Sequence, residues 1–151
     1  MGDSAGAGLL TSAIGVLQDN AQQLPEGVVM ISPWLDLSAV NTSYETNQAT
    51  DPVLSKAYML ASAYLYAGNN VDKANPAGIT FRQFPPVLAM VGSTEILLDD
   101  SKHFLGEVET VQPHAVLRIY AHQNHVWPLS DIFSEASKLA MKEIRDFLDT
   151  L

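Results

Sequence analysis

Gly2-Asp3-Ser4-Ala5-Gly6 constrains the fold of this chain more than any other feature. Gly-x-Ser-x-Gly fits a strand-to-helix turn so tight that side chains at the flanking positions would clash. The glycines relieve that crowding and leave the serine hydroxyl exposed at the C-terminal edge of a sheet. Such a turn needs a strand on its N-terminal side, yet only Met1 precedes Gly2. The expectation is a chain that starts in the middle of a fold, at the turn itself. Ser4 is a candidate nucleophile; the alternative is a serine that merely caps the helix after it.

Hydrophobic periodicity supplies the rest of the architecture. Leu9, Leu10, Ala13, Ile14 and Leu17 recur at helical spacing between Ala5 and Asp19. Gly6 and Gly8 would let this helix approach a sheet closely. Val28 to Ser32, Val87 to Val91 and Ala115 to Ala121 are short apolar runs; the first two are continuous, as in strands buried on both faces. Ser55 to Ala67, Asp99 to Thr110 and Ile132 to Leu151 read as helices, the last with Ser130 as its N-cap. The stretches 20–27, 34–52 and 68–86 read as loops. Helices alternating with apolar strands predict one α/β domain, a parallel sheet with helices on both faces.

Composition narrows the function classes. The formal net charge is -9, with only eight Lys and Arg, which disfavours nucleic acid and anionic membrane surfaces as partners. No cysteine is present, so disulfides, thiolate metal sites and a cysteine nucleophile are excluded. No apolar run approaches the roughly 20 residues of a membrane span. No signal peptide opens the chain, so a cytoplasmic location is expected. His122-x-x-His125 lacks an evident third ligand, and no metal or cofactor is expected.

A serine hydroxyl is a weak nucleophile at neutral pH. It needs a base within hydrogen-bond reach and an acid that orients the base. Ligands of parallel sheets bind outside the carboxyl ends of the strands, and two loops there carry suitable groups. One follows Val91 and holds Glu95, Asp99 and Asp100; the other follows Ala121 and holds His122 and His125. Asp99 and Asp100 would also suit the first turn of a helix, where acidic groups favour the dipole. Asp36, after the Val28–Ser32 strand, is a further acid candidate. His103 and His114 read as solvated. Trp34, Tyr58, Tyr64 and Trp127 are candidates for the wall of an acyl pocket, against an ordinary role in the core.

These residues together resemble the C-terminal half of a hormone-sensitive-lipase-like carboxylesterase, α/β-hydrolase fold-3. The resemblance is carried by Gly2-Asp3-Ser4-Ala5-Gly6, Ser32-Pro33-Trp34-Leu35-Asp36-Leu37-Ser38, Asp51-Pro52, Pro85-Pro86-Val87-Leu88, Gly92 with Glu95-x-Leu97-x-Asp99, and His125-Val126-Trp127. It implies Ser4 as nucleophile, His125 as base and Glu95 as acid, where the family more often has Asp. Ala5 N–H would be one oxyanion-hole donor. Trp34 and Trp127 stand as substrate-pocket candidates.

Family members are about twice this long, so the resemblance implies a partial α/β-hydrolase fold. Residues 1–151 would form the C-terminal half of the domain, starting at the tight turn of residues 2–6, the nucleophile elbow. The first strands, most of the lid and the His-Gly-Gly-Gly loop with its oxyanion amides would be missing. The expected activity is hydrolysis of small acyl esters through a Ser-His-Glu triad and an acyl-enzyme. The alternative is an inactive or split fragment that needs self-association or a complementing N-terminal chain.

Overall fold

The computed structural model describes residues 1–151. Four parallel strands run side by side in chain order: β1 (Gly2–Asp3), β2 (Val28–Ile31), β3 (Val87–Gly92) and β4 (Ala115–Tyr120). Gly2 aligns with Met30, Val28 with Val87, and Val87 with Ala115. Between β1 and β2 lies α1 (Ala5–Asp19). The β2–β3 connection carries α2 (Ser43–Thr46), α3 (Lys56–Ala67) and α4 (Val71–Ala74). Helix α5 (Leu98–Val108) joins β3 to β4, and α6 (Trp127–Ser130) and α7 (Glu135–Leu148) close the chain.

Side chains alternate across a strand, so each buried strand feeds two cores. Val28 and Met30 of β2, with Val87 and Ala89 of β3, pack with Ala7 and Ile14 of α1 and Phe104, Leu105 and Val108 of α5. The intervening Val29, Ile31, Leu88 and Met90 point the other way, toward Ala140 and Ile144 of α7. Burial on both faces explains why these strands read as unbroken apolar runs. A third cluster lies beyond the sheet. Trp34, Leu37, Tyr44, Met59, Ala63, Ile96 and Leu97 hold α3 over the turn that leads into α5.

The last helix starts later than its periodicity suggests. Ser134, not Ser130, caps it, accepting from Ser137 N–H at 3.1 Å. Residues Trp127–Ser130 form a separate turn with Pro128 in its first positions, and Ile132 and Phe133 between the two helices are exposed. The segment 68–86, read as loop, contains short helical turns at Gly68–Asn70, Val71–Ala74 and Pro76–Gly78. No helix is long and apolar enough to cross a membrane.

Candidate active site

Each strand delivers one part of the site at its C-terminal end. β1 runs directly into Ser4, whose φ of 48° is in the left-handed region that L-residues disfavour. The surroundings hold it there. Ser4 N–H donates to Ile31 O at 3.0 Å, while its carbonyl accepts from Trp34 N–H and Ala7 N–H, both at 3.1 Å. A Cβ on Gly2 would stand 2.7 Å from Gly6 O, so the glycine permits the close return of α1. Gly6 itself faces open space; a Cβ on Gly8 would stand 2.6 Å from Trp34 O, so it is Gly8 that allows α1 to press against the β2 loop.

The Ser4 side chain does not cap α1. Its Oγ lies 2.9 Å from His125 Nε2, and His125 Nδ1 lies 2.9 Å from Glu95 Oε2. A carboxylate only accepts, so the pairing puts the imidazole proton on Nδ1 and leaves the Nε2 lone pair for the serine hydroxyl. The side chain of Glu95 is fully buried and that of His125 nearly so, at 8% exposed. Water therefore competes little for the bond between His125 and Glu95. The arrangement can withdraw a proton from Ser4 as its oxygen attacks an electrophile. Ala5 N–H is the first amide of α1, where a helix offers no internal acceptor, and can donate to an oxyanion.

The other candidates lie elsewhere. Asp36 is occupied by Ser38, Val40 N–H and Asn75. Burial by itself would raise its pKa, but these bonds outweigh it and hold Asp36 below the usual carboxylate value. Asp99 accepts from Ser43 N–H and pairs with Lys102. His122 is exposed, and only its backbone N–H is engaged, by Ser93 Oγ at 2.9 Å. His103 Nδ1 meets Asn41. No group of three His, Cys, Asp or Glu is placed to hold a metal ion.

Trp34 lines an apolar cleft of about 140 Å³ beside the elbow, together with Ala5, Gly8, Leu9, Leu37 and Tyr66. Trp127 does not line that cleft, contrary to expectation. It is buried on the α7 side of the sheet, with its ring centroid 4.8 Å from that of Tyr120. The left-handed turn at Val126 sends residue 127 beneath the histidine loop rather than out toward the cleft. Tyr58 and Tyr64 face solvent on α3, whereas Tyr66, not singled out in the sequence, reaches the cleft.

Several bracing residues also escaped the sequence reading. Asp51 Oδ2 accepts from Ile96 N–H at 3.0 Å, and Asn47 Nδ2 donates to Glu95 O at 2.8 Å. Thr94 Oγ1 donates to Gln123 O at 2.6 Å, tying the acid loop to the histidine loop. The two loops pass so closely that a Cβ on Gly92 would stand 2.0 Å from Gln123 O. Only Asp51-Pro52 and Gly92 carried a signal, as parts of the matching motifs.

The sequence pattern of the alpha/beta hydrolase fold family matches residues 1–129. An esterase of Acinetobacter venetianus is 29% identical over 154 residues, covering 99% of this chain and 51% of that protein. An acetyl-hydrolase of Streptomyces hygroscopicus is 33% identical over 129 residues, covering 83% and 43%. Among solved structures, an esterase from the bacterial hormone-sensitive lipase family superposes with a TM-score of 0.92 at 34% identity, covering 97% of this chain and 50% of that one. A hormone-sensitive lipase from a metagenome library gives a TM-score of 0.92 at 28% identity, with 99% and 52% covered. The chain thus spans about half the length of each of these proteins.

Proposed function

The chain belongs to the alpha/beta hydrolase fold family, and from that premise we propose that it acts in the hydrolysis of small carboxylic esters through Ser4, His125 and Glu95. The observation that carries this reading is the relay of two 2.9 Å hydrogen bonds from Ser4 Oγ through His125 to Glu95. Ser4 Oγ attacks the ester carbonyl carbon and its proton passes to His125 Nε2. The imidazolium then protonates the departing alkoxide as the C–O bond breaks, leaving an acyl group on Ser4. Water, deprotonated by the same histidine, releases the acid and restores the serine. Glu95 holds the tautomer and stabilises the imidazolium; Ala5 N–H donates to the oxyanion. The apolar cleft lined by Trp34 and Tyr66 suits a short acyl or alcohol group. The esterase and acetyl-hydrolase named among the relatives favour the same substrate class.

A second reading concerns what completes the site. β1 has only β2 as a neighbour, and Leu9 and Val16 on α1 are each more than half exposed. An unpaired strand edge beside apolar residues favours pairing with more polypeptide. In this reading residues 1–151 form the C-terminal half of the hydrolase domain, inactive or split until a second copy or a complementing N-terminal chain supplies the remaining strands and oxyanion donors. A fluorophosphonate probe separates the two. Labelling of the isolated chain, lost in Ser4→Ala, is expected of a self-sufficient triad; labelling that appears only in an associated form, read by sedimentation, is expected of the second. Labelling of Ser4→Ala at the wild-type rate would sink the esterase reading.

A further inference from the structure

Resting on the esterase reading, we propose that Ser32 is a positioning residue that holds the acid and the base of the relay to one common reference point. Ser32 follows β2 directly, is fully buried, and has a φ of 47°. Glycine adopts such a backbone freely and serine does not, so the hydroxyl is present at a position that favours its removal. That hydroxyl has one proton and two lone pairs. The proton goes to Glu95 Oε1 at 2.8 Å, and a lone pair accepts Val126 N–H at 3.0 Å. The backbone cannot drift, because Ser32 N–H donates to Met90 O at 2.7 Å.

Two consequences follow for the relay. Glu95 Oε1 receives both Ser32 Oγ–H and Gly92 N–H, the latter at 2.6 Å. With that oxygen held twice, the carboxylate plane is set and Oε2 is the oxygen presented to His125 Nδ1. On the other side, Val126 is the residue next to His125, and its own φ of 56° is strained for a β-branched side chain. The bond to Ser32 Oγ secures the backbone at the point where the imidazole leaves it. One hydroxyl therefore registers two loops whose residues lie 63 and 94 positions away in the chain. A purely structural reading treats Ser32 as a buried polar group satisfied by its neighbours, affecting stability alone.

Ser32→Ala and Ser32→Gly distinguish these readings. Both remove the hydroxyl, but glycine also relieves the backbone strain, so their stabilities differ while their loss of positioning does not. In the purified chain, the fluorophosphonate labelling rate of Ser4 is expected to fall about 10- to 100-fold in both variants, the range a misplacement near 1 Å produces. With a chromogenic acetate ester the fall is expected in kcat, with KM within about twofold of wild type. The NMR signal of the His125 Nδ1 proton, slowed in exchange by Glu95, is expected in wild type and lost in both variants. A wild type with that signal but no labelling in either the isolated or the associated form overturns the esterase reading and leaves the Ser32 proposal to stand on the signal alone. A folded Ser32→Gly that keeps the signal, or labels at the wild-type rate, overturns the Ser32 proposal; so does a wild type without the signal.

Discussion

Glu95 and Asp100 lie in the same loop-to-helix passage after β3, and both carboxylates are buried at 2% exposure or less. Both also take hydrogen bonds from the segment that follows β2. Glu95 Oε1 accepts from Ser32 and Gly92 N–H, leaving Oε2 for an imidazole. Asp100 Oδ2 accepts from Leu35 N–H, Asp36 N–H and the Tyr44 hydroxyl, and Oδ1 accepts from Asn41. Every donor around Asp100 is structural, and none leads on to a nucleophile. Burial does not tell a reactive carboxylate from a bracing one. The distinction is whether one oxygen remains free for a group that itself exchanges protons.

The largest expected effect tests the reactive side of that contrast. Ser4→Ala and His125→Ala should each remove nearly all hydrolysis of a chromogenic acetate ester, a loss of about 10⁴-fold or more, since relay members act as a unit. Asp100→Asn, assayed per folded molecule, should remain within about twofold of wild type. Equal losses at positions 4 and 100 would erase the contrast.

Glu95→Gln probes the same point more narrowly. An amide can offer its oxygen to His125 Nδ1–H only by turning its NH2 toward two donors, Ser32 Oγ–H and Gly92 N–H; the reverse flip imposes the wrong imidazole tautomer. A fall of about 10³- to 10⁴-fold is expected, comparable to amide replacement in the Ser-His-Asp relay of serine proteases. A fall below tenfold would mean that Glu95 braces its loop much as Asp100 does.

On the structural side, Asp100→Ala should cost roughly 3 kcal/mol, because Leu35 N–H, Asp36 N–H, Asn41 and Tyr44 all lose an acceptor in a buried site. The urea midpoint checks this. An unchanged midpoint would show that water or rearrangement satisfies those donors.

The smallest effect is in pH. Burial raises the pKa of Asp100 from 3.8 to about 7, against the hydrogen bonds from Asn41, Asp36 and Leu35, while the charge of Asp36 adds to the rise. The folded state then holds a proton that the unfolded state has released. The Asp100 contribution is full below about pH 4 and is lost as pH rises through about 7. Asp36 has the opposite sign: its lowered pKa gives stability present above the ordinary carboxylate range and lost on acidification. Asp100→Asn should flatten the decline in stability between pH 4 and 7, read from urea midpoints at several pH values. A slope that the substitution leaves intact would assign the effect to another group.

How much of this was legible varied with distance along the chain. The elbow was legible because Gly2 and Ser4 belong to one turn whose crowding is internal to a few residues. β2 and β3 were legible because strands buried on both faces need apolar side chains at every position. Trp127 was misplaced because its motif neighbours say nothing about which side of the sheet a loop residue lands on. The start of α7 was misplaced because apolar spacing continues through Ile132 and Phe133, while the actual cap is the serine whose extended backbone lets its oxygen reach Ser137 N–H.

Sequence by itself determined the local conformations here, since steric limits at Gly2, the helical period of α1 and the apolar runs of β2 and β3 act among neighbours in the chain. Chemistry and resemblance brought Ser4, Glu95 and His125 forward as candidates, yet left Asp36 and Asp99 standing beside Glu95. Only the tertiary structure decided which carboxylate meets the imidazole, which of its oxygens does so, and that Ser32 and Gly92 hold the other. A hydrogen bond is satisfied by whatever donor arrives within about 3 Å. Three separate strand ends must be brought into register before that donor is defined, and the register comes from packing the whole sheet.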